Sequence, residues 1–421
     1  MKLLFLAHRI PFPPDKGDKI RSYHELRALV ERGHEVHLLA FADDLRDLNY
    51  QVDLARLCSQ VQIVPLRKAP ARLRAMSGLI GSQPLTLAYF RTLKMKRLVK
   101  RALAEHNYDA VFVYSSGMAQ YIPPEWRSRT VVDLVDVDSE KWFEYAERSS
   151  ALKAWLYRTE GKRLRKYEYK IVAGFANSML TTEREAALLG EADEFTRRAR
   201  LRIMTNGVDL DQFHPLETGS LIEPTTRWAN PRLVFTGAMD YRANVEAVEW
   251  FVREVFPLIK HREPRAEFFI VGSNPVSEVK KLAEHPGVTV TGFVEEIPPY
   301  LHEATVCVVP LQIARGVQNK LLEAMACGKA VVATLEAASA FRVTNDEQLL
   351  IAASATEFAE AVVQAIRDEA LRKRLGWNAR RFVELEHDWQ PLLQRFVELV
   401  ESAGQRRIET ESRNVRAIAR H

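Results

Sequence analysis

Charged residues in two glycine-containing segments of this 421-residue chain could bind a phosphorylated ligand. In residues 315–334, RGVQNKLLEAMACGKAVVAT, a tight turn at Gly316 is expected to lead into one short helix and a buried strand. Gln318 or Asn319 can cap the first free amides of that helix. Glu323 would be a carboxylate among packed Leu, Ala and Met, so we expect it to have a partner or a ligand. The alternative is a first-turn acid that only stabilises the helix N-terminus.

The second segment follows the first predicted strand, which covers Lys2 to Ala7. A proline cluster and a glycine come next, then a helix that ends at Gly33 and a second strand. Strand, loop, helix and strand in this order predict a right-handed crossover with the loop at the carboxyl edge of the sheet. The loop lacks G-x-G-x-x-G, so a dinucleotide fingerprint is absent. The residues that could face an acceptor or a phosphate are Lys16, Gly17, Asp18, Lys19 and Arg21; a purely structural turn is the alternative.

Asp136 and Asp138 form a D-x-D pattern at the end of a predicted strand, in VVDLVDVDSEKW. Alternate residues of a strand share one face, so both carboxylates could point into a cleft. D-x-D also holds a divalent metal in one transferase fold, but two Asp at this spacing arise easily by chance. We therefore favour carboxylates that face a cleft at the end of this strand over a metal site.

Ten Lys and Arg and no acid occupy residues 61–104, with the basic residues falling between 67 and 101. Around residues 94–103, basic and apolar side chains take opposite faces of a predicted helix. Such a helix suits an anionic membrane surface or a polyphosphate acceptor. A solvated charged face is the alternative. No recognition module accompanies the charges, so nucleic acid is not expected as a partner.

The elements around these segments alternate between strands and helices in two series. A chain of this length, with 47% hydrophobic and 27% charged residues, is expected to form two soluble domains. The N-terminal apolar run is too short for a signal peptide or a membrane span, and the three cysteines are scattered, which fits a reducing cytosol. The predicted divisions are 1–215 for a first Rossmann-like domain, 216–230 for a linker, 231–390 for a second Rossmann-like domain, 391–404 for a C-terminal helix and 405–421 for a disordered tail.

Five motifs in this order resemble the retaining family 4 glycosyltransferases of the GT-B fold, over nearly the whole ordered length. They are the Pro-rich glycine loop followed by RGHEV, then TNGVD with FHP, TGAMDYRANV, VTGFVEE and LLEAMACGKAVV. The resemblance implies an α/β protein of two Rossmann-like parallel-sheet domains that face each other across a cleft, with the C-terminal helix packing back on the first domain. The wording of LVDVDSEKW and IARGVQNKLLEAMACGK is most similar to the sugar transferases that accompany exosortase (PEP-CTERM) polysaccharide loci.

The resemblance also implies which residues contact the donor. In the family, the second Glu of a pair seven residues apart binds the ribose hydroxyls, and Glu323 occupies that position. The backbone around Gly292 and Phe293 resembles the part that reads the nucleobase, and Gly237 lies where the donor phosphates pass. The full donor-binding set expected here is Gly237, Arg242, Asn244, Gly292, Phe293, Gly316, Asn319, Lys320 and Glu323.

The chain departs from the family pattern at the phosphate site. Arg315 stands where the family usually has the first Glu of the pair. The basic residues that usually follow the glycine corresponding to Gly237 are not plainly kept. Met239 stands near the usual Arg, and Arg242 or Asn244 near the usual Lys. The hypothesis is that Arg315 and Lys320 supply the missing positive charge to the diphosphate.

The family's acceptor-side His is also replaced, with Asp136 as the nearest candidate. In the retaining mechanism usually proposed, the donor phosphate takes the acceptor proton, so Asp136 would only orient the acceptor. The expected catalytic residues are thus Asp136, Arg315 and Glu323, and the acceptor-side residues are Gly17, Asp18, Lys19, Arg21 and Asp138. No cofactor and no metal ion are expected beyond the nucleotide-sugar substrate.

These observations predict a retaining glycosyltransferase that acts on a lipid-linked or polysaccharide acceptor in exopolysaccharide biosynthesis. The alternatives are a degenerate protein that only binds a nucleotide-sugar and a nucleotide-sugar epimerase. The expected location is the cytoplasm, with peripheral attachment to the inner face of the membrane through residues 67–101.

Overall fold

The structure is a computed structural model that describes residues 1–14, 17–77, 83–147, 149–189, 200–216 and 230–418. Its internal contacts divide the chain into two units. The first unit comprises Met1–Thr205 and Gln390–His421, and the second unit comprises Asn206–Trp389. Nearly all of the predicted linker lies outside the described residues.

Residues 206–215 belong to the second unit, whereas the sequence predicts them at the end of the first domain. Val208 forms a backbone bridge with Asp388, and a side chain at Gly207 would collide with the ring of Trp389. His387 Nδ1 also bonds to the Asn206 carbonyl at 2.8 Å across 181 positions. No local pattern reveals these contacts, because they join distant parts of the chain.

The described strands of the first unit form a seven-stranded parallel sheet in the order β3-β2-β1-β4-β5-β6-β7. They are β1 Lys2–Ala7, β2 Glu35–Ala42, β3 Gln60–Pro65, β4 Ala110–Tyr114, β5 Thr130–Val135, β6 Asn177–Leu180 and β7 Leu201–Ile203. The central strands β1, β2 and β4 are almost entirely buried, which explains their continuous apolar runs. The direction of winding reverses between β1 and β4, so the switch point lies at their carboxyl ends.

Apolar clusters cover both faces of this sheet. The helices of the first unit are α1 Gly17–Glu31, α2 Gln51–Leu57, α3 Lys68–Ser77, α4 Leu85–Phe90, α5 Leu93–Glu105, α6 Asp138–Glu147, α7 Ala151–Gly174 and α8 Glu183–Leu188. Thr92 caps α5 and Thr182 caps α8, each through its hydroxyl oxygen.

The second unit contains a six-stranded parallel sheet in the order β10-β9-β8-β11-β12-β13. Its described strands are β8 Arg232–Thr236, β9 Glu267–Val271, β10 Val288–Gly292, β11 Val306–Val309, β12 Val331–Thr334 and β13 Leu350–Ala352. The switch point here lies between β8 and β11, at the equivalent place in the winding.

The helices of the second unit pack around one apolar cluster. They are α9 Arg242–Trp250, α10 Phe256–Arg262, α11 Ser277–Lys281, α12 Pro298–Glu303, α13 Asn319–Ala326, α14 Leu335–Ala338, α15 Ala355–Arg367 and α16 Glu369–Glu386, with a π-helical turn at Phe251–Val255. The predicted helix and strand of residues 315–334 are thus α13 and β12. Two Rossmann-like units of this kind confirm the predicted GT-B fold.

The last helix, α17 Trp389–Ile418, belongs mostly to the first unit. Phe396 and Val400 are buried in the cluster that also contains β1 and β4, and the Phe396 and Phe112 rings lie 4.9 Å apart. The helix continues to Ile418, into the segment for which the sequence predicts a disordered tail.

None of the described helices combines the length and the apolarity that a bilayer-crossing segment requires.

Candidate functional site

Three of the predicted donor-binding residues meet at the switch point of the second unit. Gly237 follows β8, Asn244 lies in the first turn of α9, and Lys320 lies in the first turn of α13. The Lys320 ammonium donates to Asn244 Oδ1 at 3.0 Å, and Asn244 Nδ2 donates to the Ala238 carbonyl at 2.9 Å. One cationic group therefore stands beside the backbone of the loop after β8.

Glycine backbones pack closely next to this pair. A β-carbon on Gly237 would come within 2.7 Å of Asn244 Nδ2, and one on Gly272 would overlap the Gly237 carbonyl oxygen. The loops after β8 and β9 can therefore approach each other because position 272 is glycine, and Gly237 leaves room for the Asn244 side chain. This arrangement keeps side chains away from the switch point, where a ligand binds in open α/β sheets.

The N-terminus of α13 has no side-chain cap, although the sequence predicts one at Gln318 or Asn319. Gln318 Nε2 instead donates to the carbonyl of the half-buried Arg315 at 2.8 Å, and Asn319 Oδ1 accepts from Asn206 Nδ2 at 3.1 Å. The capping prediction is therefore wrong. Because the first amides of a helix have no acceptor within it, those of α13 can bind an anion with the help of the helix dipole.

Lys320 and Glu323 lie one turn apart on α13, and both are half-buried. Burial lowers the pKa of Lys320 to about 8, against the attraction of Glu323. Burial likewise raises the pKa of Glu323 to about 7, against the attraction of Lys320. Within the described part of the chain, no side chain donates a hydrogen bond to the Glu323 carboxylate. Its oxygens can therefore accept from ligand hydroxyls.

The other predicted donor residues lie on neighbouring loops. Gly292 ends β10 with φ 71°, a left-handed conformation that favours glycine, and Phe293 beside it is 76% exposed. Gly316, with φ 58°, forms the turn before α13 that the sequence predicts. Arg242 is exposed and pairs with Glu246 at 2.6 Å on the surface of α9. Arg242 is thus engaged with its own helix.

Asn206 is a site residue that the sequence analysis includes only within the motif TNGVD. Its buried side chain donates to Asn319 at the start of α13, and its carbonyl accepts from His387. Asn206 therefore helps to orient the first residue of the anion-binding helix. The only local signal was the Asn-Gly dipeptide, which predicts a turn and nothing about its partner.

In the first unit, charged residues cluster after β1. Gly17 begins α1, and Asp18 lies in its first turn. Arg9 donates to Asp18 at 2.5 Å and to Asp43 at 3.0 Å, and His8 Nε2 lies 3.5 Å from Asp18. Although burial alone would raise it, the pKa of Asp18 lies well below its usual range because of His8 and Arg9. Sequence reasoning missed His8 and Arg9, even though both directly follow a predicted strand.

Two residues predicted on the acceptor side are buried in ion pairs instead. Lys19 pairs with Asp47 at 3.2 Å, and the fully buried Arg21 pairs with Asp133 at 2.6 Å and with Glu25 at 3.2 Å. Buried charges need such partners, so both side chains point into the protein. We correct their assignment to buried framework positions: Arg21 links α1 to β5, and Lys19 links α1 to the 3-10 turn Leu45–Tyr50. Lys16 lies outside the described residues.

Asp136 and Asp138 follow β5 and remain partly accessible. Asp136 accepts from Thr181 Oγ1 at 2.9 Å, whereas Asp138 accepts from Ser116 Oγ at 3.1 Å and from Lys141 Nζ at 2.9 Å. The two carboxylates thus have different partners. Among the described residues, no group of three His, Cys, Asp or Glu is arranged to hold a metal ion.

Two buried acids position the backbone between the end of β5 and the first turn of α6. Glu185 accepts from the Val137 amide at 2.7 Å, and Glu168 accepts from the amide and hydroxyl of Ser139 at 3.1 and 2.5 Å. Burial, with repulsion from Asp138, raises the pKa of Glu168 to about 8. Burial thus favours the protonated form of Glu168 in the folded protein. Sequence reasoning missed both acids, because each lies on a helix distant in the chain.

The basic stretch of residues 67–101 includes α3 and α5. On α5, Met95, Val99 and Leu103 are buried in the core of the first unit, as the predicted amphipathic pattern requires. The opposite face exposes its basic side chains, which are Lys94, Lys96, Arg97, Lys100 and Arg101.

Two family models match consecutive parts of the chain. The model described as "Glycosyl transferase 4-like domain" matches residues 19–207, and the model described as "Glycosyl transferases group 1" matches residues 230–368. Together they cover most of both units.

Single proteins are similar over nearly the full length. An uncharacterized 44.6 kDa protein in the cps region of Klebsiella pneumoniae is 21% identical, covering 92% of this chain and 96% of that protein. The solved sucrose-phosphate synthase of Thermosynechococcus elongatus shares 19% identity at a TM-score of 0.70, covering 96% of this chain and 99% of the other. Anabaena Alr3699/HepE, solved in complex with UDP, shares 15% identity at a TM-score of 0.65. The match covers 96% of this chain and 100% of the Anabaena chain. These structures share the fold.

Proposed function

Because this chain is a glycosyltransferase that belongs to the group 1 family, we propose that it moves a sugar with retention from a nucleoside-diphosphate sugar to a lipid-linked or polysaccharide acceptor. The Klebsiella relative from a cps region supports a role in exopolysaccharide biosynthesis. The motifs LVDVDSEKW and IARGVQNKLLEAMACGK of the present chain support an exosortase-associated setting. The observation that carries the proposal is Lys320 and Glu323 together at the uncapped N-terminus of α13.

The donor diphosphate binds at the second-unit switch point. Lys320 and the first amides of α13 supply positive charge where the leaving group develops negative charge. Arg315, which immediately precedes Gly316, adds a forked donor to the same phosphates. Glu323 accepts from the two ribose hydroxyls, and the exposed Phe293 lies against the base. The UDP-bound Anabaena structure, which shares this fold, makes UDP the first nucleotide to test.

In the transfer step, the bond between the anomeric carbon and the leaving phosphate oxygen breaks while the acceptor oxygen bonds to that carbon on the same face. The donor phosphate takes the acceptor proton, so that a nucleoside diphosphate is released. Asp136 orients the acceptor hydroxyl, with its own carboxylate held by Thr181. Asp18 and Asp138 contact further acceptor groups. The chain's own cations serve the diphosphate, so the proposal includes no resident cofactor or metal ion.

The first unit binds the acceptor, and residues 67–101 face an anionic membrane on the cytoplasmic side. The exposed basic face of α5 supports this attachment, because anionic lipid attracts clustered Lys and Arg. Salt should weaken an attachment of this electrostatic kind.

Substitution of Glu323 tests the proposal directly. Glu323→Ala should lower kcat/KM for the donor by about a hundredfold, because the hydrogen bonds of the ribose to a charged group are lost. Glu336→Ala, which removes an exposed acid from α14, is the matched control and should leave transfer unchanged. Release of nucleoside diphosphate is the measurement, and equal rates for both variants and the parent protein would refute the ribose assignment.

A thermal-shift panel of nucleoside diphosphates and nucleotide-sugars identifies the donor. A true ligand at a hundredfold over its dissociation constant stabilises the folded protein by about 2.7 kcal/mol. Release of nucleotide in the presence of lipid-linked acceptors should then follow for the same donor. Binding without release over that acceptor panel would contradict the proposed acceptor class.

A further inference from the structure

The N-terminal half of α7 exposes large apolar side chains. Leu152 is 80% exposed and Trp155 is 65% exposed. They are three positions apart, so they share one face of the helix. Exposed groups of large apolar residues mark interaction sites more often than single ones do.

A cavity of about 320 Å³ lies beneath these side chains. Leu85, Leu152, Trp155 and Leu156 give it a mainly apolar lining. Its floor is fixed by Glu160, whose carboxylate accepts from the Leu85 amide at 2.7 Å and the Thr86 amide at 3.0 Å at the start of α4. The acid is therefore satisfied internally, and the charged residues that remain in the lining, Lys153 and Arg163, are both basic.

The exposed charge on α7 has one sign. Its two acids, Glu160 and Glu168, are buried and bond to backbone amides of α4 and α6. Its exposed charged residues are Lys153, Arg158, Lys162, Lys166 and Lys170. Helical spacing puts the last three on the same face as Leu152 and Trp155. The face thus combines an apolar end with a row of lysines.

The basic helix α5 differs from α7 in one respect. The large apolar residues of α5 are buried in the core, apart from Leu93 at its start, so its contact with a partner depends mainly on charge. On α7, apolar and basic groups are exposed together. This combination suits the boundary of an anionic bilayer, where Trp lies at the headgroup level and Lys faces anionic lipid.

We propose that one face of α7 anchors the first unit to an anionic membrane surface. Leu152 and Trp155 insert at the headgroup boundary, and Lys162, Lys166 and Lys170 lie over the anionic headgroups. The inference extends the proposed membrane contact beyond residues 67–101. Its test measures vesicle binding, so it can fail while the transferase proposal stands.

The test uses the full chain and vesicles of equal parts phosphatidylglycerol and phosphatidylcholine. The double variant Leu152→Ser, Trp155→Ser should co-sediment at least about tenfold more weakly than the parent protein. Trp377→Ser is the matched control, because Trp377 is 63% exposed but lies on α16 of the second unit. It should bind like the parent. Unchanged thermal melting and an unchanged nucleotide-induced shift would show that the double variant is folded.

Salt and lipid composition sharpen the result. Raised salt should weaken binding of the parent protein but leave a remainder that the double variant lacks, because insertion is not screened. Equal binding by the double variant and the parent would overturn the proposal. So would equal binding of the parent to pure phosphatidylcholine, or an equal loss in Trp377→Ser.

Discussion

The two sheets of this protein have the same kind of switch point, but the side chains that follow their strands differ. In the first unit, the carboxyl ends of β1 and β5 are followed by ion pairs such as Arg9 with Asp18 and Asp138 with Lys141. In the second unit, glycines follow β8 and β9, and Lys320 bonds only to the neutral Asn244 among the described residues. The fold alone therefore does not decide what a switch point binds; its side chains do.

The charges at the two edges are also in different states. In the first unit, burial alone would lower the pKa of Arg21, but its ion pairs with Asp133 and Glu25 raise it, and only such close partners offset the desolvation cost. In the second unit, burial brings the pKa of Lys320 down to about 8 and that of Glu323 up to about 7. Because both values lie near neutral pH, a bound ligand can change the charge of either group. We interpret the first edge as a preorganised framework and the second as the place where a polyanion completes the charge balance.

The largest effect should come from the framework. Arg21→Ala leaves Asp133 and Glu25 buried without their cation, so the free energy of unfolding should fall by about 3–5 kcal/mol. Urea denaturation followed by circular dichroism measures the loss. Arg242→Ala, an exposed arginine of the second unit, should change stability by less than about 0.5 kcal/mol. Similar losses in both variants would remove the distinction between the two edges.

The next largest effect concerns ligand binding at the second edge. Lys320→Ala should lower the affinity for the nucleoside diphosphate by about 10- to 150-fold relative to the parent protein. This is the range expected for loss of hydrogen bonds to a charged group. Arg242→Ala should alter the dissociation constant by less than about twofold, because its guanidinium pairs with Glu246 on an exposed surface. Isothermal titration calorimetry measures both. If Arg242→Ala has the larger effect, the diphosphate lies on α9 instead.

Glu168 gives the first edge its own pH dependence. The pKa of Glu168 is raised from 4.5 to about 8, so the folded protein keeps a proton that the unfolded chain releases. Its contribution to stability is complete below pH 4.5 and should fall by about 1 kcal/mol per pH unit toward pH 8. Glu168→Gln should flatten that slope in denaturation measured from pH 5 to 8. An unchanged slope would mean that Glu168 is ionised in the folded protein.

The smallest predicted effect is the pH dependence of nucleotide affinity. Above pH 8 the free protein loses the Lys320 proton, which a bound diphosphate requires, so affinity should fall by up to about tenfold per pH unit. The Lys320→Ala variant should lack this slope between pH 8 and 9. A parallel slope in that variant would assign the titration to another group.

Much of the fold follows from short-range patterns. Apolar runs predicted the first two strands of the chain, and a glycine predicted the turn at Gly316. Lys320 and Glu323 are three positions apart in a predicted helix, so helical spacing alone places them on neighbouring turns. Predictions of this kind succeed because the interacting residues are neighbours in the chain.

Most of the assignments that needed correction concern distant partners. Asp133, 112 positions away, turns Arg21 into a buried framework residue, and Asp47 does the same for Lys19. Asn319 bonds to Asn206 across 113 positions instead of capping its own helix. Glu168 and Glu185 position a loop whose own residues give no sign of them.

The amino-acid sequence by itself determined the two parallel sheets, the glycine-containing loops and the charged residues available to them, because periodicity and turn chemistry act over a few residues. Only the tertiary structure decided which of those charges are neutralised within the protein and which remain for a ligand. The physical reason is that a charge is buried or left accessible according to the partner that folding brings to it. For Arg21 that partner lies more than a hundred residues away in the chain, and for Lys320 the nearest carboxylate lies in its own helix.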